Sequence, residues 1–159
     1  MFTKSTYSQD VSESYTLLSK QLDALLTGET NMIANLSNAS ALLNQFFDQI
    51  NWVGFYLMEN GELVLGPFQG LPACVRIPLG KGVCGTSAET QETIIVPDVH
   101  QFPGHIACDA ASQSEIVLPI VKDGELIGVL DIDSPIKNRF SQEDAKGLEQ
   151  FIEVLIKHV

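Results

Sequence analysis

Trp52-Val53-Gly54-Phe55-Tyr56-Leu57-Met58, then Glu59-Asn60-Gly61, then Glu62-Leu63-Val64-Leu65-Gly66-Pro67-Phe68, is the stretch on which the architecture turns. Aromatic and β-branched residues fill the first run, and an Asn-Gly pair separates it from a second apolar run. Both turn residues tolerate positive φ, so the pattern predicts a tight β-hairpin. A second such pattern runs from Glu115 to Val121, turns at Lys122-Asp123-Gly124 and returns from Leu126 to Asp133. Consecutive hairpins predict a mostly antiparallel sheet.

Outward from the hairpins the period changes from two to three-and-four. Tyr15, Leu18, Leu22, Leu25 and Leu26 form one apolar stripe, and Met32, Ile33, Leu36, Leu43, Phe46, Phe47 and Ile50 form another after Gly28. Both read as amphipathic helices. At the far end Ser141-Gln142-Glu143-Asp144 carries a helix N-cap pattern, followed by the stripe Leu148, Phe151, Ile152, Leu155 and Ile156. Residues 69–114 read as two short strands, Val75 to Ile77 and Thr93 to Val96, among long loops rich in glycine and proline. The expected class is α+β in one domain over residues 1–159, with the terminal helices on one sheet face and pocket-forming loops on the other.

Composition narrows the function. Nine Lys and Arg against 20 Asp and Glu give a net charge of −11, which repels phosphate backbones and anionic lipid. That disfavours a nucleic-acid or membrane-surface role. No apolar run approaches the roughly 20 residues of a bilayer span, and the N-terminus lacks an apolar signal core. Three cysteines without an export signal are expected to be reduced thiols in the cytoplasm.

The chemistry-bearing residues gather in the middle. Cys74, Cys84 and Cys108 all fall in or beside loops; buried small hydrophobes are the default for single cysteines, but three in such loops point to reactive thiols. His100 and His105 precede Cys108 at a spacing that offers a weak zinc alternative, and His158 is expected to be solvated. Asp131 and Asp133 share one face of a strand, and Glu115 opens its hairpin partner. Three neighbouring carboxylates repel unless a cation or shared proton compensates, so they could hold an ammonium, a metal or a proton for delivery. Trp52, Gly54 and Tyr56 share a face as well, as core packing or as the wall of a small-molecule pocket.

Asn51-Trp52-Val53-Gly54-Phe55-Tyr56, Leu65-Gly66-Pro67-Phe68-Gln69-Gly70 and Gly80-Lys81-Gly82-Val83-Cys84-Gly85-Thr86 resemble the free methionine-(R)-sulfoxide reductase family. Pro97-Asp98-Val99-His100, Pro103 to Asp109, Ser114-Glu115-Ile116-Val117 and Leu130-Asp131-Ile132-Asp133-Ser134 extend the likeness, in order, over most of the chain. The resemblance implies a stand-alone GAF-type fold that reduces free L-methionine-(R)-sulfoxide. It implies Cys108 as the nucleophile that becomes a sulfenic acid, Cys74 as the thiol that condenses with it, and Cys84 as a second thiol of similar or auxiliary role. It places Glu115, Asp131, Asp133, Trp52 and Tyr56 in the substrate pocket. No bound cofactor or metal is implied; thioredoxin, itself reduced by NADPH through thioredoxin reductase, would recycle the disulfide, and a homodimer is suggested.

The chemistry of the residues is compatible with that scheme. Cleaving an S–O bond requires a protonated acid, which crowded carboxylates provide, and a remaining carboxylate can hold the ammonium that only the free amino acid carries. The expected division gives Glu115 and Asp133 to the sulfoxide oxygen and Asp131 to the ammonium. Asp109 disfavours a Cys108 thiolate, so backbone N–H groups or His105 are expected to compensate. Two other readings compete: a non-catalytic GAF module that senses a small ligand, and a metal-binding protein using His100, His105 and Cys108.

Overall fold

The computed structural model describes residues 2–106 and 108–159. Two helices open the chain, α1 (Val11–Leu26) and α2 (Met32–Phe46). Asp10 accepts a hydrogen bond from the Glu13 N–H and Asn31 from the Ala34 N–H, so each helix starts on a side-chain cap. The first hairpin follows as β1 (Trp52–Glu59) and β2 (Glu62–Gly70), turning through Asn60 and Gly61 at φ of 52° and 84°. Then come β3 (Arg76–Pro78), α3 (Gly82–Thr90), β4 (Ile94–Val96) and a short 3-10 turn at Val99–Gln101. The second hairpin, β5 (Ser114–Lys122) and β6 (Glu125–Ser134), turns through Asp123 and Gly124, again with φ positive at both. The last helix, α4 (Gln142–Leu155), opens on a reciprocal box between Ser141 and Asp144.

All strand pairs are antiparallel, in the order β3-β2-β1-β6-β5-β4. The two hairpins join through β1 and β6, which set Trp52 opposite Asp133 and Gly54 opposite Asp131. Alternation then sorts the side chains. Val53, Phe55, Ile116, Leu118, Leu130 and Ile132 pack beneath α1, α2 and α4 in one core. Trp52, Tyr56, Val117 and Val129 face the opposite way, into a second core with Val83, Cys84 and Ala88 of α3. The expected arrangement of helices on one face and pocket-forming chain on the other is therefore present.

Three local expectations are corrected. Gly80 to Gly85 does not stay a loop: Gly82 begins α3, and Cys84 is a helical residue. The helix forms because Gly85 lets its backbone press against the Pro78 carbonyl and the Gly80 backbone, with Gly80 N–H donating to Gly85 O at 2.8 Å. Ile33 faces solvent, since it lies off the α2 face that buries Leu36, Ala39 and Leu43. His158 is not solvated; its ring pairs with Asp23 at 2.8 Å, and the chain end is held by Asn35, which donates to the His158 carbonyl at 2.9 Å.

Helices α1 and α4 meet where Gly147 receives the Tyr15 ring, whose hydroxyl donates to Asp144 at 2.7 Å. A Cβ at 147 would stand 2.6 Å from Tyr15 Cδ1. Alanine at an open helix site gains up to about 1 kcal/mol over glycine, but overpacking costs about 1–3 kcal/mol. Gly147→Ala is therefore expected to destabilise the fold, read as a lower urea midpoint; a higher midpoint would show that the ring moves aside freely.

Candidate active site

The face of the sheet opposite the terminal helices carries the acids. Glu115 pairs in register with Asp133, and Asp131 lies across from Val117 on the same strand pair. Glu115 and Asp131 are buried, at 6% and 5% exposure, while Asp133 is partly exposed. Like charges directly opposite each other in a sheet destabilise it, so protons must be shared here. Burial first, then the Asp131 and Asp133 charges, holds Glu115 well above the ordinary carboxylate range. Asp133 is pushed well up by burial and then by Asp131. Asp131 is raised as well, by burial, but hydrogen bonds to Glu115 and Cys84 work against that rise.

Aromatic rings form the adjoining wall. Trp52 stacks between Phe68, at 5.1 Å between ring centroids, and Tyr56, at 5.9 Å. Trp52 Nε1 donates to the Leu71 carbonyl at 3.1 Å, and the Tyr56 hydroxyl donates to the Cys74 carbonyl at 2.8 Å. Both rings thus serve as pocket wall and as anchors for the Cys74 loop. Gly54 permits this packing, because a Cβ there would lie 2.8 Å from Phe68 Cα.

Cys74 and Cys108 are joined in a disulfide, with Cα atoms 5.6 Å apart. The expectation of three reduced thiols therefore holds only for Cys84 in this state. Cys84 is buried, and burial followed by the Asp131, Glu115 and Asp133 charges holds its thiol well above the usual value. Such a thiol is a poor nucleophile. His105 does not supply the expected positive charge: burial and the neighbouring His100 lower its pKa, leaving it neutral. Asp109 is instead taken up by local bonds, accepting from the Asn51 amide at 2.9 Å and from the Ala111 N–H at 2.9 Å. That engagement spreads its charge away from Cys108.

Trp52, Tyr56, Cys84, His105, Cys108, Asp109, Glu115, Asp131 and Asp133 line one cleft, and Cys74 is bonded to Cys108; Gly54, His100 and His158 are not among its lining residues. With the disulfide closed the cleft offers water centres only about 40 Å³. Lys81 and Ser112 also line it and were not singled out. Lys81 lies in a glycine-flanked segment in which no side-chain cap or apolar period marks the start of α3, and Ser112 carries no local signal. His100 and His105 do not assemble with Cys108 as metal ligands; among the described residues the one group of donor atoms within 4.8 Å of each other is Cys84, Glu115 and Asp131.

Comparison with known proteins agrees with this architecture. The GAF domain family pattern matches residues 21–158. The free methionine-R-sulfoxide reductase of Escherichia coli is 55% identical over 145 residues, which is 91% of this chain and 88% of that protein. The fRMsr of Staphylococcus aureus, solved in complex with substrate, matches at TM-score 0.88 and 58% identity, over 97% of this chain and 99% of that one. The free methionine-R-sulfoxide reductase of Neisseria meningitidis, in complex with its substrate, matches at TM-score 0.94 and 42% identity, over 99% and 95%. With identity this high across nearly the whole length, and helices and antiparallel sheet to match, the chain belongs to the GAF domain family, among the free methionine-R-sulfoxide reductases.

Proposed function

We propose that the chain, as one catalytic domain over residues 1–159, reduces free L-methionine-(R)-sulfoxide to L-methionine. The observation that carries the reading is the pairing of Cys74 with Cys108 at the edge of a cleft lined by Glu115, Asp131 and Asp133. Cys108 attacks the sulfoxide sulfur as a thiolate while an acid protonates the oxygen. Methionine leaves, the substrate sulfur gaining two electrons and Cys108 losing two as it becomes a sulfenic acid. The Cys74 thiol then displaces water from that sulfur, and the disulfide forms. An external dithiol, with thioredoxin as the proposed reductant, accepts the oxidation and resets both thiols. Cys84, with its raised pKa, is better suited to an auxiliary place than to attack.

The surroundings of the three acids support the division of labour. Glu115 and Asp133, held well above the ordinary carboxylate range, keep protons to donate, and Asp131, whose rise is opposed by hydrogen bonds to Glu115 and Cys84, offers a carboxylate to the substrate ammonium. Lys81 and the amino end of α3, which also line the cleft, are suited to the substrate carboxylate. Trp52 and Tyr56 form the apolar wall. An N-acylated or peptide-bound methionine sulfoxide lacks the ammonium and would leave Asp131 uncompensated. The sensing-module alternative explains neither the reactive pair nor the acids held protonated above it.

The direct test couples NADPH oxidation, through thioredoxin and its reductase, to free methionine-(R)-sulfoxide, its S epimer and the N-acetyl form. Turnover of the free R epimer alone is expected; equal rates on the N-acetyl form would overturn the assignment of the ammonium to Asp131. Asp131→Asn should raise KM about tenfold or more and change kcat less, since it removes binding common to ground and transition states. A fall in kcat at unchanged KM would move Asp131 into the proton-transfer step. The same reading carries a cytoplasmic location, where a dithiol reductant is at hand, and a homodimer, checked by the mass of the protein in solution.

A further inference from the structure

The mechanism leaves one buried group without a full account: a thiol among carboxylates. Cys84 Sγ and an oxygen from each of Glu115 and Asp131 lie within 4.8 Å of one another, all three residues buried. Asp131 Oδ1 is fully buried and has no hydrogen-bond partner among the described residues, so the cluster presents one open acceptor atom. A substrate ammonium could satisfy that oxygen, but it gives no reason for a sulfur at the same point. A metal of the zinc class does. Zinc takes thiolate sulfur at about 2.3 Å and carboxylate oxygen at about 2.0–2.2 Å, and tetrahedral ligands at those lengths stand roughly 3.5 Å apart. The three donor atoms lie within 4.8 Å of one another, and all three residues line the cleft. Calcium and magnesium prefer six or more oxygens and do not suit a set with sulfur.

We propose that Cys84, Glu115 and Asp131 form a binding site for a borderline-soft divalent cation of the zinc class, which occupies the floor of the cleft as an inhibitory ligand. Binding releases the Cys84 thiol proton and the proton held between the carboxylates to solvent, and it removes the acceptor that a substrate ammonium would use. The site is independent of the disulfide, since neither Cys74 nor Cys108 belongs to it.

Cadmium reads the site directly, because a sulfur-to-cadmium charge-transfer absorption appears only when thiolate ligates the metal. In the oxidised full chain Cys84 is the one free thiol, so surface carboxylates that collect cadmium stay silent. Titration of Cd²⁺ into that protein is expected to raise the band to saturation at one ion per chain. The band should be absent in Cys84→Ser, and the affinity at least about tenfold lower in Asp131→Asn and in Glu115→Gln. Absence of the band in the wild-type protein overturns the proposal. So does a band of undiminished affinity in both acid variants, which would mark a lone thiolate. Thermal melts by circular dichroism check folding; if Cys84→Ser does not fold, the two acid variants decide, since the band is their own readout. Turnover is not measured, so a failed metal site and a failed reductase reading remain separable results.

Discussion

Cys108→Ser is expected to lose about 10³-fold or more of the turnover on free methionine-(R)-sulfoxide, while Cys74→Ser completes a first turnover and then stalls. The difference follows from what each sulfur does. Attack on the sulfoxide needs a thiolate, and a serine hydroxyl is not ionised near neutral pH. Without Cys108 no methionine is released even once. Without Cys74 the first methionine is released, but the sulfenic acid on Cys108 lacks the partner that the disulfide identifies. Rapid mixing of reduced protein with substrate should show a burst of one methionine per chain in Cys74→Ser, with the Cys108 sulfenic acid trapped by a diketone reagent. A burst retained in Cys108→Ser and lost in Cys74→Ser would exchange the two roles.

Glu115→Gln is expected to cut kcat by about 10²–10⁴-fold and at the same time to stabilise the protein by about 1–2 kcal/mol at neutral pH. The activity loss follows from removing a buried acid that keeps its proton because of burial and of the charges on Asp131 and Asp133. The stability gain has the opposite sign from the usual surface carboxylate. Unfolded Asp and Glu lose their protons near pH 4, whereas the folded trio holds them to higher pH. Between those limits the folded state binds more protons than the unfolded one, so stability is lost as pH rises through the folded values. Glutamine cannot ionise and removes part of that loss. Melting temperature against pH should fall less steeply above about pH 5 in the variant than in the wild type. A variant less stable at every pH, or one with kcat within threefold of wild type, would remove Glu115 from the proton-donating role. For the wild-type enzyme the same directions place the decline of kcat on the alkaline side, where Glu115 and Asp133 lose the proton to be delivered.

Much of the fold is written in short-range chemistry. Asn60-Gly61 and Asp123-Gly124 turn the hairpins because both positions adopt positive φ, and Ser141 with Asp144 closes the box that starts α4. The period-two alternation in β1, β5 and β6 places Trp52, Tyr56, Glu115, Asp131 and Asp133 on one side of the sheet. Helix α3 was not legible, because Gly82 and Gly85 weaken its propensity and no amphipathic period marks it; it exists through close backbone packing against Pro78 and Gly80. The neutrality of His105 was not legible either, since it depends on burial and on His100 nearby.

The residue types and their spacing alone determined that this chain builds two hairpins flanked by amphipathic helices, with thiols and carboxylates as its chemistry. Turn preference, capping and face alternation act over a few residues, so a linear chain displays them. Only the tertiary structure decided that β1 pairs with β6, that the Glu115 and Asp131 side chains leave water beside a half-buried Asp133, and that Cys74 rather than Cys84 is bonded to Cys108. Those outcomes depend on contacts between distant segments and on the removal of water from charged groups, and neither quantity is a property of neighbouring residues in sequence.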